Sequence, residues 1–263
     1  MDLGLRNAKV LVTASSQGLG QATARRFSLE GALVVINSRN LAELQATAAA
    51  INAESGNPVF TIAGDVSDPA QAAKIVRNAA DMLGGLDILV TNAGGPPPGT
   101  FEDFDIEQWE QSTKLIVFSV VSLIKAALPH LKQSKRAAIL AIQSMSVKQP
   151  IANLTLSNAI RPSVIGLTKT LSLELGPQGI RVNAILPGST ETSRITELME
   201  ARAAKNGTSE ADERAHASAD IPLRRFGATD EFANAAVFLC SPAAGYITGV
   251  ALPVDGGVIK ATL

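Results

Sequence analysis

Two glycines, Gly18 and Gly20, stand where a short β-branched run gives way to a segment with the apolar spacing of a helix. Glycine lets a backbone approach a ligand closely, and the first amide groups of a helix point toward an anion in front of them. A strand, a glycine turn and a helix form the opening unit of a dinucleotide-binding fold. The pattern therefore indicates pyrophosphate binding, although a tight connection in any α/β protein would show the same glycines.

A second candidate site follows the next apolar run, Gly31–Asn37. Proteins that bind NAD usually place an acid here for the ribose hydroxyl, whereas the 2′-phosphate of NADP requires a cation. In this chain the run is followed by Ser38 and Arg39, without an acid. The forked guanidinium of Arg39 suits a phosphate, so we expect NADP as the cofactor and NAD as the less favoured one. The alternative is that Arg39 is an exposed arginine at the start of a helix.

Regularly alternating elements must position these residues. Strand patterns occur at Lys9–Ala14, Gly31–Asn37, Val59–Ala63, Leu86–Thr91, Ala137–Gln143, Gly179–Leu186 and Val250–Val254. Helix patterns occur at Gly18–Glu30, Leu41–Glu54, Pro69–Leu83, Asp105–Gln133 and Leu154–Leu175. The alternation predicts an α/β fold: a single Rossmann-fold domain over residues 1–263, with a doubly wound, seven-stranded parallel sheet and helices on both faces.

Two segments depart from this alternation. The polar stretch Glu191–Asp220 interrupts it, and we expect residues 191–220 to form a helical lid over a substrate. Pro162 lies inside the last helix pattern, where a proline is tolerated only as a kink or close to the helix start.

Composition narrows the class of protein. The 263 residues are 46% hydrophobic and 18% charged, enough for a large core. Lys+Arg 23 against Asp+Glu 24 argues against nucleic acid or an anionic membrane as a partner, so we expect a small-molecule substrate. No secretion signal and no apolar run of about 20 residues is evident. One cysteine, Cys240, fits a reducing compartment and a cytoplasmic protein, and the few His and Cys residues predict no metal site.

Ligands in doubly wound sheets bind beyond the carboxyl ends of the strands. That rule gathers the residues that follow successive strands into one site. They are Thr13, Ser15, Ser16, Gln17, Gly18, Leu19 and Gly20; Ser38 and Arg39; Asp65 and Val66; Asn92, Ala93 and Gly94; Ser144; and Pro187 and Gly188.

The ordered set of short motifs resembles the short-chain dehydrogenase/reductase family over essentially the whole chain, in particular 3-oxoacyl-carrier-protein reductase-like members. The matching segments are Thr13–Gly20, Asp65–Val66, Thr91–Gly94, Ile139–Ser144, Ile180–Asn183, Pro187–Gly188 and Val254–Gly257. The resemblance implies a nicotinamide dinucleotide and commonly a homotetramer. It also implies that Asp65 and Val66 contact the adenine, that Asn92–Gly94 pass along the adenosine and ribose, and that the nicotinamide is surrounded by Pro187, Gly188, Thr190 and Thr192.

The chain departs from the family at the catalytic positions, which usually hold Asn, Ser, Tyr and Lys. Ser144 matches the serine, but Ser157 and Arg161 stand where the tyrosine and lysine are expected, and we assign Lys114 to the asparagine position. By the resemblance, the tyrosine protonates the carbonyl oxygen, and a serine hydroxyl is far less acidic. Arg161 can bind the ribose but cannot shuttle protons, because the pKa of arginine stays above ~12.

Lys148 is the candidate replacement, four residues past Ser144. Partial burial near Arg161 and Lys114 would lower its pKa and allow it to donate a proton. The same ammonium could anchor a substrate carboxylate, or it could be an ordinary solvated loop charge. The predicted catalytic set is Ser144, Lys148, Ser157 and Arg161.

Three functions fit this sequence. The first is an NADP-dependent oxidoreductase of the short-chain type, acting on a carbonyl or alcohol with an altered proton donor. The second is a dinucleotide-binding protein that has lost hydride transfer. The third is non-redox, lyase- or aldolase-like chemistry with Lys148 as base or Schiff-base amine. We adopt the first, because the cofactor motifs are nearly intact and the predicted lid implies a ligand beyond the cofactor.

Overall fold

The strands form one sheet in the part of the chain that the structure describes. A computed structural model describes residues 1–262 except the side chain of Arg194, so Leu263, the last residue of the predicted domain, lies outside the described residues. The strands are β1 Lys9–Val12, β2 Leu33–Ser38, β3 Val59–Ala63, β4 Ile88–Thr91, β5 Ala138–Ile142, β6 Arg181–Pro187 and β7 Ala251–Val254. Within residues 1–262 these seven strands follow the order β3-β2-β1-β4-β5-β6-β7, and all neighbours are parallel. The predicted doubly wound fold is confirmed.

Helices cover both faces because successive strand side chains point to opposite sides. The helices are α1 Gly18–Leu29, α2 Leu41–Ser55, α3 Pro69–Leu83, α4 Ile106–Thr113, α5 Ser119–Leu131, α6 Thr155–Leu175, α7 Ser193–Asn206, α8 Glu210–Ser218 and α9 Thr229–Cys240. Val10 and Val12 lie in an apolar cluster with α1, α2 and α9, whereas Leu11 lies in the cluster with α3, α5 and α6. Full burial of a side chain such as Phe27 stabilises the fold by about 1.5–3 kcal/mol.

Local chemistry sets several helix ends. Asn40 begins α2 by accepting hydrogen bonds from the amides of Ala42 and Glu43, and Asp68 begins α3 in the same way. The predicted helix over 105–133 contains a π-helical turn at Lys114–Phe118 and runs on through it. Helix α6 continues through the exposed Pro162.

The predicted lid segment contains α7 and α8. Met199 of α7 packs in a small apolar cluster with Ile221 and Phe226, which follow the segment. The sequence analysis did not predict α9, which packs against α1.

One helix in residues 1–262, the continuous Ile106–Leu131, is long and apolar enough to cross a membrane by length and composition, with a mean hydropathy of 1.6. Its residues Ile116, Leu123 and Ala127 are buried in the core cluster with α3 and α6. Core helices commonly meet the same criterion, and 39% of the apolar window of this helix is buried inside the structure.

Candidate functional site

The carboxyl ends of β1, β2, β3 and β4 open onto a cavity of about 1140 Å³. The sheet order reverses between β1 and β4, which is where doubly wound folds bind ligands. Nine of the predicted cofactor residues line this cavity: Ser16, Gln17, Ser38, Arg39, Asp65, Val66, Asn92, Ala93 and Gly94. The structure therefore brings together residues spread over four strand ends.

The glycine turn between β1 and α1 is tightly packed. Gly18 has a φ of +59°, in the region that favours glycine, and Ala14, where a glycine is common, has a φ of +45°. A Cβ on Gly20 would lie 2.3 Å from the carbonyl oxygen of Ala14 and 2.9 Å from Nδ2 of Asn92. Only glycine at position 20 allows α1 to begin this close to the turn.

Other predicted residues of the turn hold its backbone and do not line the cavity. The Thr13 hydroxyl donates to the carbonyl oxygen of Asn92 at 2.7 Å and accepts from the Asn92 amide at 2.9 Å. The Ser15 hydroxyl donates to the carbonyl oxygen of Val12 at 2.7 Å. Leu19 packs against the apolar cluster beneath α1. These contacts fix the turn to the ends of β1 and β4.

The start of α1 suits an anion. In the described structure, Gln17 at the helix cap makes no side-chain hydrogen bond to the first amides of α1. Unsatisfied amides and the helix dipole favour a negative group at this end. A pyrophosphate therefore fits the space in front of the turn.

The end of the cavity beside Ser38 is lined by a basic side chain, Arg39, and an acidic one, Glu43. Within residues 1–262, exposed Arg39 has no hydrogen-bond or ion-pair partner, so its guanidinium is available to a phosphate. Glu43, in the first turn of α2, also lines the cavity. Its carboxylate accepts from the Ser16 hydroxyl at 3.2 Å and from Nδ2 of Asn40 at 2.9 Å. The sequence analysis considered only residues directly after β2 and missed this acid.

The far side of the glycine turn faces the segment after β6. A second cavity of about 470 Å³ is lined by Gly18, Thr192 and Ser193 among others. The methyl carbon of Thr192 lies 3.8 Å from an ideal Cβ position on Gly18. Pro187 ends β6 and Gly188 follows it, and buried Thr190 donates to the carbonyl oxygen of Gly188 at 3.3 Å. Thr192 is thus beside the turn, whereas Pro187, Gly188 and Thr190 line neither cavity.

Arg161 on α6 lies beside the carboxyl ends of β4 and β5. It is half-buried, and its Nη1 donates to the backbone oxygen and to Oε1 of Gln143, both at 3.4 Å. A small cavity of about 10 Å³ places it beside Asn92, Ala93 and Gly94. Arg161 therefore lies next to the strand end that the resemblance assigns to the ribose.

The remaining catalytic candidates differ in exposure. Ser157 is buried one helical turn before Arg161, on the same side of α6. The Ser144 hydroxyl accepts from the amide of Ser146 at 3.1 Å, which leaves its own proton for another acceptor. Lys148 ends the short helical turn Met145–Val147 and is exposed, so the partial burial expected of it is absent.

Lys114, which we assigned to the asparagine position, does not border Arg161. Lys114 is exposed and lines the large cavity, whereas buried Ile116 lines the small cavity beside Arg161. The π-helical turn Lys114–Phe118 places one extra residue in the turn and changes which side chain faces inward. An apolar side chain therefore borders Arg161.

Two loops bordering the catalytic candidates are joined. The Gly99 amide donates to the carbonyl oxygen of Asn153 at 2.8 Å, and the Thr155 amide donates to that of Gly99 at 3.2 Å. The side chain of Asn158 bonds both backbone groups of Ile151. These bonds fix the loop between Lys148 and Ser157 to the loop after β4.

The clearest pKa shifts of buried groups lie at the end of α9, outside the site. Burial raises the pKa of the Cys240 thiol to about 12, and it lowers the pKa of Arg181, whose guanidinium binds the carbonyl oxygens there. Among the described residues there is no group of three or more His, Cys, Asp or Glu that could hold a metal ion.

Comparisons with known proteins agree with this geometry. The family model described as enoyl-(acyl carrier protein) reductase matches residues 13–259. The chain is 34% identical to dehydrogenase/reductase SDR family member 4 of Oryctolagus cuniculus over 254 residues, covering 96% of this chain and 94% of that protein.

The chain is also similar to solved structures of reductases and oxidoreductases. The L-sorbose reductase of Gluconobacter frateurii, complexed with NADPH and L-sorbose, has a TM-score of 0.96 and 31% identity, covering 99% of this chain and 100% of that chain. An NADPH-bound short chain oxidoreductase of Pseudomonas aeruginosa PAO1, containing an atypical catalytic center, has a TM-score of 0.89 and 32% identity, covering 98% of this chain and 100% of that chain.

Proposed function

This chain belongs to the short-chain dehydrogenase/reductase family, and we propose that it is an NADP-dependent oxidoreductase that acts on a small carbonyl compound or alcohol with an altered proton donor. The observation that carries the proposal is the cavity of about 1140 Å³ at the strand ends, lined by the glycine turn, Arg39, Asp65 and Asn92. A bound nicotinamide would supply or accept the hydride.

NADP is favoured by the cation at the end of β2. Arg39 is exposed beside Ser38, and within the described residues its guanidinium has no other partner. Two similar structures, the sorbose reductase and the Pseudomonas oxidoreductase, contain NADPH. In this proposal Arg39 binds the 2′-phosphate and the start of α1 binds the pyrophosphate.

Proton delivery must differ from that of the family because Ser157 and Arg161 replace its tyrosine and lysine. Ser144 donates its hydroxyl proton in a hydrogen bond to the carbonyl oxygen of the substrate, since its oxygen accepts from the Ser146 amide and its own proton is left for an acceptor. Arg161 stays charged and stabilises negative charge that develops nearby. Lys148, exposed after Ser144, supplies the proton or anchors a substrate carboxylate. Ser157 lies on the same face of α6 as Arg161 and contributes a hydrogen bond only.

Residues 191–220 are proposed to form the substrate lid, since α7 begins beside Thr192 and the glycine turn. We also propose a homotetramer in the cytoplasm. Exposed apolar side chains such as Phe118 and Leu173 support contact between copies, and the single buried Cys240 is compatible with a reducing compartment. Light scattering during gel filtration measures the assembly, and a monomeric mass would contradict it.

The function is tested by titrating the purified chain with NADPH, followed by fluorescence, and then measuring NADPH oxidation with a panel of ketones, aldehydes and keto acids. Tight binding and turnover of at least one carbonyl compound are expected. Tight binding without turnover on any of them would favour a dinucleotide-binding protein. Product formed without NADPH oxidation would indicate non-redox chemistry.

The role of Lys148 is tested with Lys148→Ala and with Lys135→Ala, an exposed lysine away from the cavity, as the control. Loss of a general acid typically lowers turnover by about 10²–10⁴-fold, and NADPH affinity should remain unchanged. If Lys148→Ala affects only the KM of acidic substrates, Lys148 is an anchor. Normal kinetics in Lys148→Ala would remove it from the mechanism.

A further inference from the structure

The end of the large cavity beside Ser38 and Arg39, where the proposal places the ribose, also contains an acid, whose charge is opposite to that of Arg39. Glu43 lines the cavity with Ser16, Ser38 and Arg39. Arg39 directly precedes Asn40, the cap of α2, and Glu43 lies in the first turn of that helix. A phosphate bound by Ser38 and Arg39 would therefore be close to a carboxylate.

The Glu43 side chain is held in place by several bonds. Its Oε2 accepts from the Ser16 hydroxyl at 3.2 Å, and its Oε1 accepts from Nδ2 of Asn40 at 2.9 Å. The backbone amide of Glu43 donates to Oδ1 of Asn40 at 3.3 Å. Thr47, one turn further along α2, donates to the carbonyl oxygen of Ser16 at 2.7 Å. The carboxylate is thus fixed between the glycine turn and the start of α2.

No cation among the described side chains pairs with this acid. In the part of the chain whose side chains the structure describes, which excludes Arg194, there is no ion pair between Glu43 and Arg39 or another basic group. A carboxylate repels a phosphate, which carries close to two negative charges, but has little effect on the neutral 2′-hydroxyl of NAD. Ser16 donates to Glu43, so its hydroxyl must turn away from the acid before it can donate to a phosphate.

We propose that Glu43 is a specificity-determining residue that reduces the preference of this chain for NADPH over NADH, so that both dinucleotides bind. The inference rests on the proposed NADP-dependent function and goes beyond it. Arg39 attracts the 2′-phosphate and Glu43 repels it. The ratio of the affinities for NADPH and NADH depends on the difference between these two effects.

The test compares wild type, Glu43→Gln and the control Glu174→Gln, an exposed acid near the C-terminal end of α6. Dissociation constants for NADPH, NADH and adenosine 2′,5′-bisphosphate are measured by fluorescence and calorimetry at low and high salt. Glutamine preserves a hydrogen bond to Ser16 while removing the charge. The expected result is about three- to tenfold tighter binding of NADPH and of the bisphosphate, with NADH unchanged. Glu174→Gln should match wild type.

Salt separates a charge effect from a structural one, because exposed charges are screened within about 3 Å at 1 M ionic strength. The gain in NADPH affinity should therefore largely disappear at high salt. If wild type binds NADPH and Glu43→Gln has the same NADPH dissociation constant, this inference is overturned and the proposed function is not. Weaker NADH binding in Glu43→Gln would show that Glu43 holds ribose hydroxyls, which also overturns it. A wild type that binds neither dinucleotide would overturn the proposed function and this inference with it.

Discussion

Arg181 ties the start of β6 to the end of α9, and its removal should lower stability measurably. Its Nη1 donates to the carbonyl oxygen of Leu239 at 2.5 Å, and its Nη2 donates to those of Cys240 and Ser241, both at 2.9 Å. The last carbonyl groups of a helix have no partner within the helix and carry partial negative charge. The guanidinium therefore satisfies groups that would otherwise stay unpaired in a buried place.

Arg181→Met preserves the length of the side chain and removes these donors. A hydrogen bond to a charged group contributes about 1.5–3 kcal/mol, and three of them are not additive because they share one side chain. Removing the arginine also relieves the cost of burying its charge, the same burial that lowers its pKa. We expect the free energy of unfolding of Arg181→Met to be about 2–4 kcal/mol below that of wild type, and that of Arg181→Lys to lie between the two.

The assay is urea denaturation at one protein concentration, with the midpoint and slope fitted separately. Arg77→Met is the matched control, since Arg77 is exposed on α3 and has no partner in the described structure. Its effect should stay within about 0.5 kcal/mol. An Arg181→Met chain as stable as Arg77→Met would show that these hydrogen bonds do not stabilise the fold.

Three further predictions concern stability and cofactor binding. Burial raises the pKa of Cys240 to about 12, so the native chain should resist a thiol reagent at pH 8, and rapid labelling of Cys240 would contradict this prediction. Because the thiol of the unfolded chain ionises near 9.0, the free energy of unfolding should fall as the pH rises above that value. Arg39→Gln should weaken NADPH about 10- to 100-fold and leave NADH unchanged in a fluorescence titration, and equal losses would exclude a phosphate contact. Gly20→Ala should lower the free energy of unfolding measured in urea by about 1–3 kcal/mol and abolish dinucleotide binding, because its Cβ would lie 2.3 Å from a carbonyl oxygen. The control Gly166→Ala, with open space around that position in α6, should be neutral or stabilising.

The sequence predicts the sheet well because most of its strands are buried on both faces and appear as continuous apolar runs. Gly31–Asn37 is such a run, and it contains nearly all of β2. The rule that ligands bind at strand ends then places Arg39, Asp65 and Asn92 around one cavity without knowledge of any side-chain position.

What the sequence misses depends on contacts that periodicity does not encode. The π-helical turn at Lys114–Phe118 changes the inward face, so Ile116 and not Lys114 borders Arg161. Glu43 lines the cavity because the first turn of α2 lies beside the glycine turn, close enough for the Glu43 carboxylate to accept from the Ser16 hydroxyl. The exposure of Lys148 depends on how a loop packs, which its spacing from Ser144 does not determine.

The pair of hydrogen bonds between Gly99 and the backbone of Asn153 and Thr155 has a consequence for motion. The two loops cannot separate without breaking both bonds, so they open as one unit. The amide protons of Gly99 and Thr155 should therefore be protected from deuterium exchange by the same factor relative to their intrinsic rates, and a molecule bound between the loops and the sheet would raise both protection factors to the same degree.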